Sequence, residues 1–164
     1  MRSKSVQERI KALLHGTGLT ISAAESCTGG MIAHLITTVS GSSEYFLGSV
    51  TSYAIPVKEK VLGVPSETIE KNGVVSAEVA AAMAEGVRKL TGSTYSVATT
   101  GLAEGGDERY PEGTVWIAIS GPAGTGTRIF RCDRGRKMNI SRFANAALRY
   151  LEEYITCCGL QKRI

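Results

Sequence analysis

The six residues Glu25-Ser26-Cys27-Thr28-Gly29-Gly30 place a carboxylate, two potential nucleophiles and a pair of glycines in immediate succession. They follow a short apolar run, Leu19 to Ala24, which reads as a mostly buried strand. After them Met31, Ile32, Leu35 and Ile36 recur at helical spacing, so a helix is expected through about Val39. The N–H groups at a helix start lack partners and carry partial positive charge, which suits them to bind an anion. A serine at such a strand-to-helix turn can present its hydroxyl at the sheet edge, and the next N–H groups can stabilise an oxyanion. The plainer role for Ser26 or Thr28 is that of helix cap. Cys27 is the rival nucleophile, because a helix start lowers a thiol pKa. A free cysteine more often packs into the core, and Ser26 is therefore the favoured nucleophile.

A serine nucleophile requires a base. The two histidines are poorly placed for it: His15 ends the first helical run and His34 lies about two turns into the helix after the motif. A lysine can act instead where burial leaves its amine neutral. Lys58 and Lys60 both follow the strand that contains Tyr53, and spacing alone does not choose between them. The cysteines Cys27, Cys132, Cys157 and Cys158 form no CxxC and have no histidine cluster nearby. That is no zinc pattern, so neither a metal nor a disulfide is expected.

The elements that must carry these residues alternate in type. Val6, Ile10, Leu13 and Leu14 mark a first helix, ended by Gly16 and Gly18. Ser40 to Ser43 is a turn, with an aromatic patch at Tyr45 and Phe46. Ser49 to Ile55 suits a strand, and Pro56 in a first turn starts a helix over Val57 to Leu62. The clearest helix runs from Ser76, as N-cap, to Leu90, with Gly92 just past its end. Thr94 to Thr100 is a strand, and 104–112 a polar loop. Thr114 to Ser120 and Thr127 to Cys132 form a hairpin through Gly121-Pro122-Ala123-Gly124. A last helix spans about Asn139 to Ile155. Strands separated by helices, with a late hairpin, predict a three-layer α/β/α sandwich with a mixed, mostly parallel sheet.

With 164 residues, 43% hydrophobic and 21% charged, the chain has enough apolar material for one core and is not of disordered composition. We read 1–164 as a single domain. No apolar run approaches the length of a membrane span. Charged residues such as Glu8, Arg9 and Lys11 occupy the place of a signal core. A cytoplasmic protein without a membrane partner is expected. The net charge of +4 draws on Arg128, Arg131, Arg134, Arg136, Lys137, Arg142 and Arg149. No nucleic-acid motif accompanies them, so we read a solvated face with an arginine or two to spare for a small phosphorylated ligand.

Several ordered segments resemble the CinA C-terminal domain family of nicotinamide-nucleotide amidases. They are Ala24 to Gly30, Gly41-Ser42-Ser43, Thr51-Ser52-Tyr53, and Lys58 ahead of Leu62-Gly63-Val64. Gly73 to Ser76, Thr100-Gly101-Leu102-Ala103 and Gly113 to Ala118 continue the match, which covers roughly residues 5 to 155. The resemblance implies a serine amidase with a lysine base and no cofactor, converting nicotinamide mononucleotide to nicotinic acid mononucleotide and ammonia. It implies Ser26 as nucleophile, Lys58 as base, and Tyr53 as a residue that positions or relays the proton. Cys27, Thr28, Gly29, Gly30, Thr100 and Gly101 would line the substrate site. The phosphate would meet Arg134 or Arg142, with Arg136 the remaining candidate. Three departures stand out: Ile55 where the family usually has Asn, Glu104-Gly105 where it usually has Gly-Pro, and Cys132 in place of a glycine before Asp133-Arg134. They point to an alternative, a catalytically degenerate member acting as a nucleotide-binding regulatory or scaffold protein. A third reading keeps the chemistry and changes the small amide. Because the first helix begins close to Met1, a stand-alone form is expected. A homo-oligomer is expected too, with the aromatic patch near Tyr45 as its contact.

Overall fold

The computed structural model describes residues 3–161; Met1, Arg2, residues 162–164 and the side chains of residues 158–161 lie outside the described residues. A five-stranded sheet of order β2-β1-β3-β4-β5 forms the middle layer. Its strands are β1 (Ile21–Glu25), β2 (Phe46–Thr51), β3 (Tyr95–Leu102), β4 (Thr114–Gly121) and β5 (Gly124–Arg131). β1 pairs in parallel with both β2 and β3, whereas β4 is antiparallel to β3 and β5. Four strands therefore run one way and β4 runs against them, giving the mixed sheet expected of helical crossovers followed by a hairpin.

The helices cover both faces. α1 (Val6–Leu14), α2 (Met31–Thr37) and α6 (Arg136–Gln161) share one core with the sheet, built around Ile10, Leu14, Ile32, Ile36, Phe143 and Leu148. On the other face lie α3 (Ile55–Leu62), α4 (Ser66–Asn72) and α5 (Ala77–Thr91), packed through Leu62, Ile69, Val79, Met83 and Val87. β1 lies between β2 and β3, and all five of its residues are buried. That is why its sequence shows no alternation of polar and apolar residues.

Local signals explain the element ends. Ser5 and Glu8 form a capping box at α1, with Ser5 N–H donating to Glu8 Oε2 at 2.7 Å. Ser76 caps α5 by accepting from Val79 N–H, and Gly92 ends it at φ 71°. Gly121 pairs with Gly124, leaving Pro122 and Ala123 as the hairpin turn.

Four expectations shift. β2 starts at Phe46 and stops at Thr51, because Ser52 to Ala54 turn away to begin α3. α4 has only Ile69 buried, so no apolar stripe announces it. α6 extends beyond Asn139 and Ile155 at both ends. Tyr45, assigned to an exposed aromatic patch, is 1% exposed and belongs to the core. It supplies no surface for a partner.

α5 crosses α3 closely at Gly86, where an added Cβ would overlap the Leu62 carbonyl oxygen. Alanine favours an exposed helix over glycine by about 1 kcal/mol, yet here the overlap should dominate at about 2 kcal/mol or more. Gly86→Ala is expected to lower the midpoint of thermal unfolding. A raised midpoint would mean the helices can separate at no cost.

Candidate functional site

The Ser26 turn is built by a buried acid. Glu25, the last residue of β1, is fully buried, and its carboxylate accepts from Ile32 N–H at 2.8 Å and Ala33 N–H at 3.1 Å. It also accepts from the Thr28 hydroxyl at 2.7 Å, and Thr99 Oγ1 lies 2.9 Å from Thr28 Oγ1. A negative group therefore sits on the positive end of α2 and satisfies its first free N–H groups. Gly29 and Gly30 follow at φ 59° and 104°, the left-handed region that glycine enters without strain. This sharp turn leaves Ser26 half-buried at the sheet edge, its own N–H bonded to Thr99 O at 3.1 Å.

Gly29 N–H donates to Ser26 O, and Met31 N–H to Thr28 O, both at 3.0 Å. The N–H groups of Cys27 and Thr28 enter neither these bonds nor those to Glu25. The anion-binding capacity expected of this helix start is thus largely taken by Glu25. The two N–H groups directly after Ser26 are not among the donors that Glu25 engages.

Lys58 comes from α3, on the opposite side of the sheet edge. Its side chain is 1% exposed. Nζ lies 2.9 Å from Ser26 Oγ, 2.6 Å from Ser52 O and 3.3 Å from Tyr53 O. The two carbonyls belong to the turn that ends β2 early, so the chain reversal itself forms the socket. Among the described residues no carboxylate pairs with Lys58 within salt-bridge distance. Burial pulls its pKa down from 10.5, opposed only weakly by the nearby Cys27. A neutral Lys58 can donate two hydrogens to the carbonyls and accept the Ser26 proton with its lone pair. Lys60 instead lines a larger, open groove between α4 and α5, whose lining contains no serine or cysteine.

Ser26 and Lys58 meet in a cavity of about 320 Å³, within the range of small-molecule sites. Cys27, Thr100 and Gly101 line it, together with Tyr53, Val74 and Val75. Burial pushes the Cys27 thiol up to about 12, with Thr99 only partly offsetting the effect, so this sulfur is no thiolate at neutral pH. Thr100 donates to Val74 O at 2.8 Å. Gly101 has no room for a side chain, because an added Cβ would lie 2.5 Å from Thr114 O. Thr28, Gly29 and Gly30 shape the turn and do not line the cavity.

At the mouth the Tyr53 hydroxyl accepts from Arg136 Nη2 at 3.1 Å, while the ring is 61% exposed. The phenol has no hydrogen bond to Ser26 or Lys58; Tyr53 meets the lysine through its carbonyl. Arg134 and Arg142 are exposed and do not line the cavity, whereas Arg136, the first residue of α6, does. Asn139 positions it. This fully buried amide donates to Ala103 O at 3.0 Å and accepts from Arg134 N–H at 2.9 Å. Asn139 and the acid Glu25 escaped sequence reasoning, since neither type nor spacing tells a buried hydrogen-bonding residue from a surface one. His15 pairs with Glu44 at 3.0 Å on the surface, and neither histidine reaches the cavity. Among the described residues no group of three or more His, Cys, Asp or Glu could hold a metal ion. No described helix is long and apolar enough to cross a membrane.

Comparison with known proteins agrees with this architecture. The family model described as CinA C-terminal domain matches residues 3–155. A CinA-like protein of Desulfosudis oleivorans is 44% identical over 150 residues, 90% of this chain and 36% of the relative. A CinA-like protein of Geobacter metallireducens is also 44% identical, over 142 residues, 84% of this chain and 34% of the relative. The chain thus spans about a third of the length of these relatives. Among solved structures, a competence or damage-inducible protein from Enterobacter asburiae superposes with a TM-score of 0.88 at 26% identity, covering 93% of this chain and 99% of that one. Competence/damage inducible protein CihA from Agrobacterium tumefaciens gives 0.84 at 32% identity, covering 92% and 96%.

The lowered lysine pKa has a consequence for stability. Between the native value and 10.5 the unfolded chain binds more protons at this position than the native one, so Lys58 makes stability rise with pH through that window. The midpoint difference between wild type and Lys58→Met should therefore move in favour of wild type as pH increases from about 6 to about 10. A difference constant across that range would mean that folding leaves the amine unshifted.

Proposed function

This chain belongs to the CinA C-terminal domain family, and on that premise we propose that it is a Ser–Lys amidohydrolase converting nicotinamide mononucleotide to nicotinic acid mononucleotide and ammonia. The observation that carries the reading is the 2.9 Å contact between Lys58 Nζ and Ser26 Oγ, with the amine buried and no carboxylate beside it. An ammonium so placed is costly, and a neutral amine is a base of useful strength.

In this mechanism Lys58 takes the Ser26 proton as Oγ attacks the carboxamide carbon. The N–H groups of Cys27 and Thr28 face the resulting oxyanion. The C–N bond then breaks, and Lys58 returns the proton to the departing ammonia. A water molecule, deprotonated by Lys58, attacks the acyl carbon, and the ester bond breaks as Lys58 returns that proton to Ser26 Oγ, releasing the carboxylic acid and restoring the neutral amine. Ser52 O and Tyr53 O hold two of the ammonium hydrogens throughout, which directs the third toward the reacting atoms. Arg136 stands at the mouth, at the N-terminus of α6, where a phosphate would be favoured by both the guanidinium and the helix dipole.

The test is ammonia release from nicotinamide mononucleotide by the purified protein. Wild type should turn it over, and Ser26→Ala and Lys58→Ala should each slow it by about a thousandfold or more. The rate should climb with pH through the lowered pKa of Lys58, because only the neutral amine is a base. Absence of ammonia, or turnover that survives Ser26→Ala, would end the proposal.

A further inference from the structure

Three charged side chains line the cavity: Lys58, Glu104 and Arg136. Lys58 is at the buried end and spends itself on Ser26 and two carbonyls. The mouth is left with one cation and one anion, and they face each other, Glu104 Oε2 lying 3.8 Å from Arg136 Nη1. The backbone sets this apposition. Asn139 of α6 holds the carbonyl of Ala103, so the residue after Ala103 and the residue three before Asn139 are brought to the same rim. Arg136 Nη2 is already donated to Tyr53. Glu104 confronts the other terminal nitrogen, Nη1, so both terminal nitrogens of the guanidinium already have a neighbour at the mouth.

Both side chains are about half exposed or more, at 47% and 66%. Their pairing is weak enough to exchange. Glu104 is then a competitor for Arg136 and a negative neighbour for any phosphate that replaces it. The first turn of α6 carries no acidic residue, so Glu104 is the acid that opposes the positive end of this helix at the cavity.

We infer that Glu104 is a specificity-determining residue that competes with a substrate phosphate for Arg136, so that the site takes the amide without its phosphate about as readily as the phosphorylated one. This rests on the reading that the amide lies at Ser26 with the rest of the substrate toward the mouth. The pyridinium ring is common to the mononucleotide and its dephosphorylated nucleoside, so their comparison isolates the phosphate.

The experiment measures the binding of both ligands calorimetrically in a Ser26→Ala background, where neither is consumed. Affinities for the two should lie within about threefold of each other. Adding Glu104→Gln should tighten the mononucleotide by about tenfold and change the nucleoside by less than about threefold. Adding Arg136→Gln to that pair of substitutions should abolish the gain. A mononucleotide already bound about a hundredfold tighter than the nucleoside with Glu104 present would overturn the inference. So would equal shifts for both ligands, the signature of a disturbed loop. Affinities that shift as expected, with no ammonia released by the Ser26-containing protein, would sink the amidase reading and leave the inference standing. Ammonia release with an unmoved affinity ratio would sink the inference alone. Binding of neither ligand by any variant would overturn both.

Discussion

A lysine amine buried beside a serine hydroxyl, with no carboxylate among the described residues to pair with it, is the constraint around which this structure is arranged. Such an amine is tolerated only if it can be neutral and if its hydrogens find acceptors. Two main-chain carbonyls, of Ser52 and Tyr53, meet the second demand. They are available because β2 stops at Thr51 and the chain turns directly into α3, which carries Lys58 back over the sheet edge. The position of Lys58 is thus a property of a strand end, a turn and the first helical turn after it.

The Ser26 side is fixed by a buried acid that does not line the cavity. Glu25 occupies the positive end of α2 and ties Thr28 to Thr99 of the adjacent strand. Its carboxylate takes the place at this helix start that a bound anion would otherwise hold. A second buried polar residue, Asn139, sets the distance between the loop after β3 and the start of α6. The Ser26 turn and the charged mouth are each anchored by one buried hydrogen-bonding side chain, both at the edge of the sheet where the parallel strands β1 and β3 end.

Much of this was legible from the chain itself. Ser26 between a buried strand and a glycine pair, Ser76 as the cap of α5, and the late hairpin are local signals, and local chemistry decides them. The choice between Lys58 and Lys60 is not local. Two residues apart on a short helix, they differ in which side of α3 faces the sheet edge, and only resemblance to a family favoured Lys58. Which arginine stands at the mouth was open among Arg134, Arg136 and Arg142 for a similar reason: α6 starts at Arg136, three residues before its expected beginning, and of the three only Arg136 lines the cavity. Tyr45 shows the converse limit, since an aromatic next to a turn looks exposed until the core closes over it.

The protonation state of Lys58 bears most directly on the account. Nitrogen-15 NMR of Nζ, assigned by comparison with Lys58→Arg and followed across a pH titration, reports it without reference to any substrate. The account predicts that Lys58 loses its proton below the ordinary lysine value of 10.5, because burial disfavours the ammonium. Titration together with the surface lysines would contradict it, leaving a permanently charged Lys58 that cannot take a proton from Ser26.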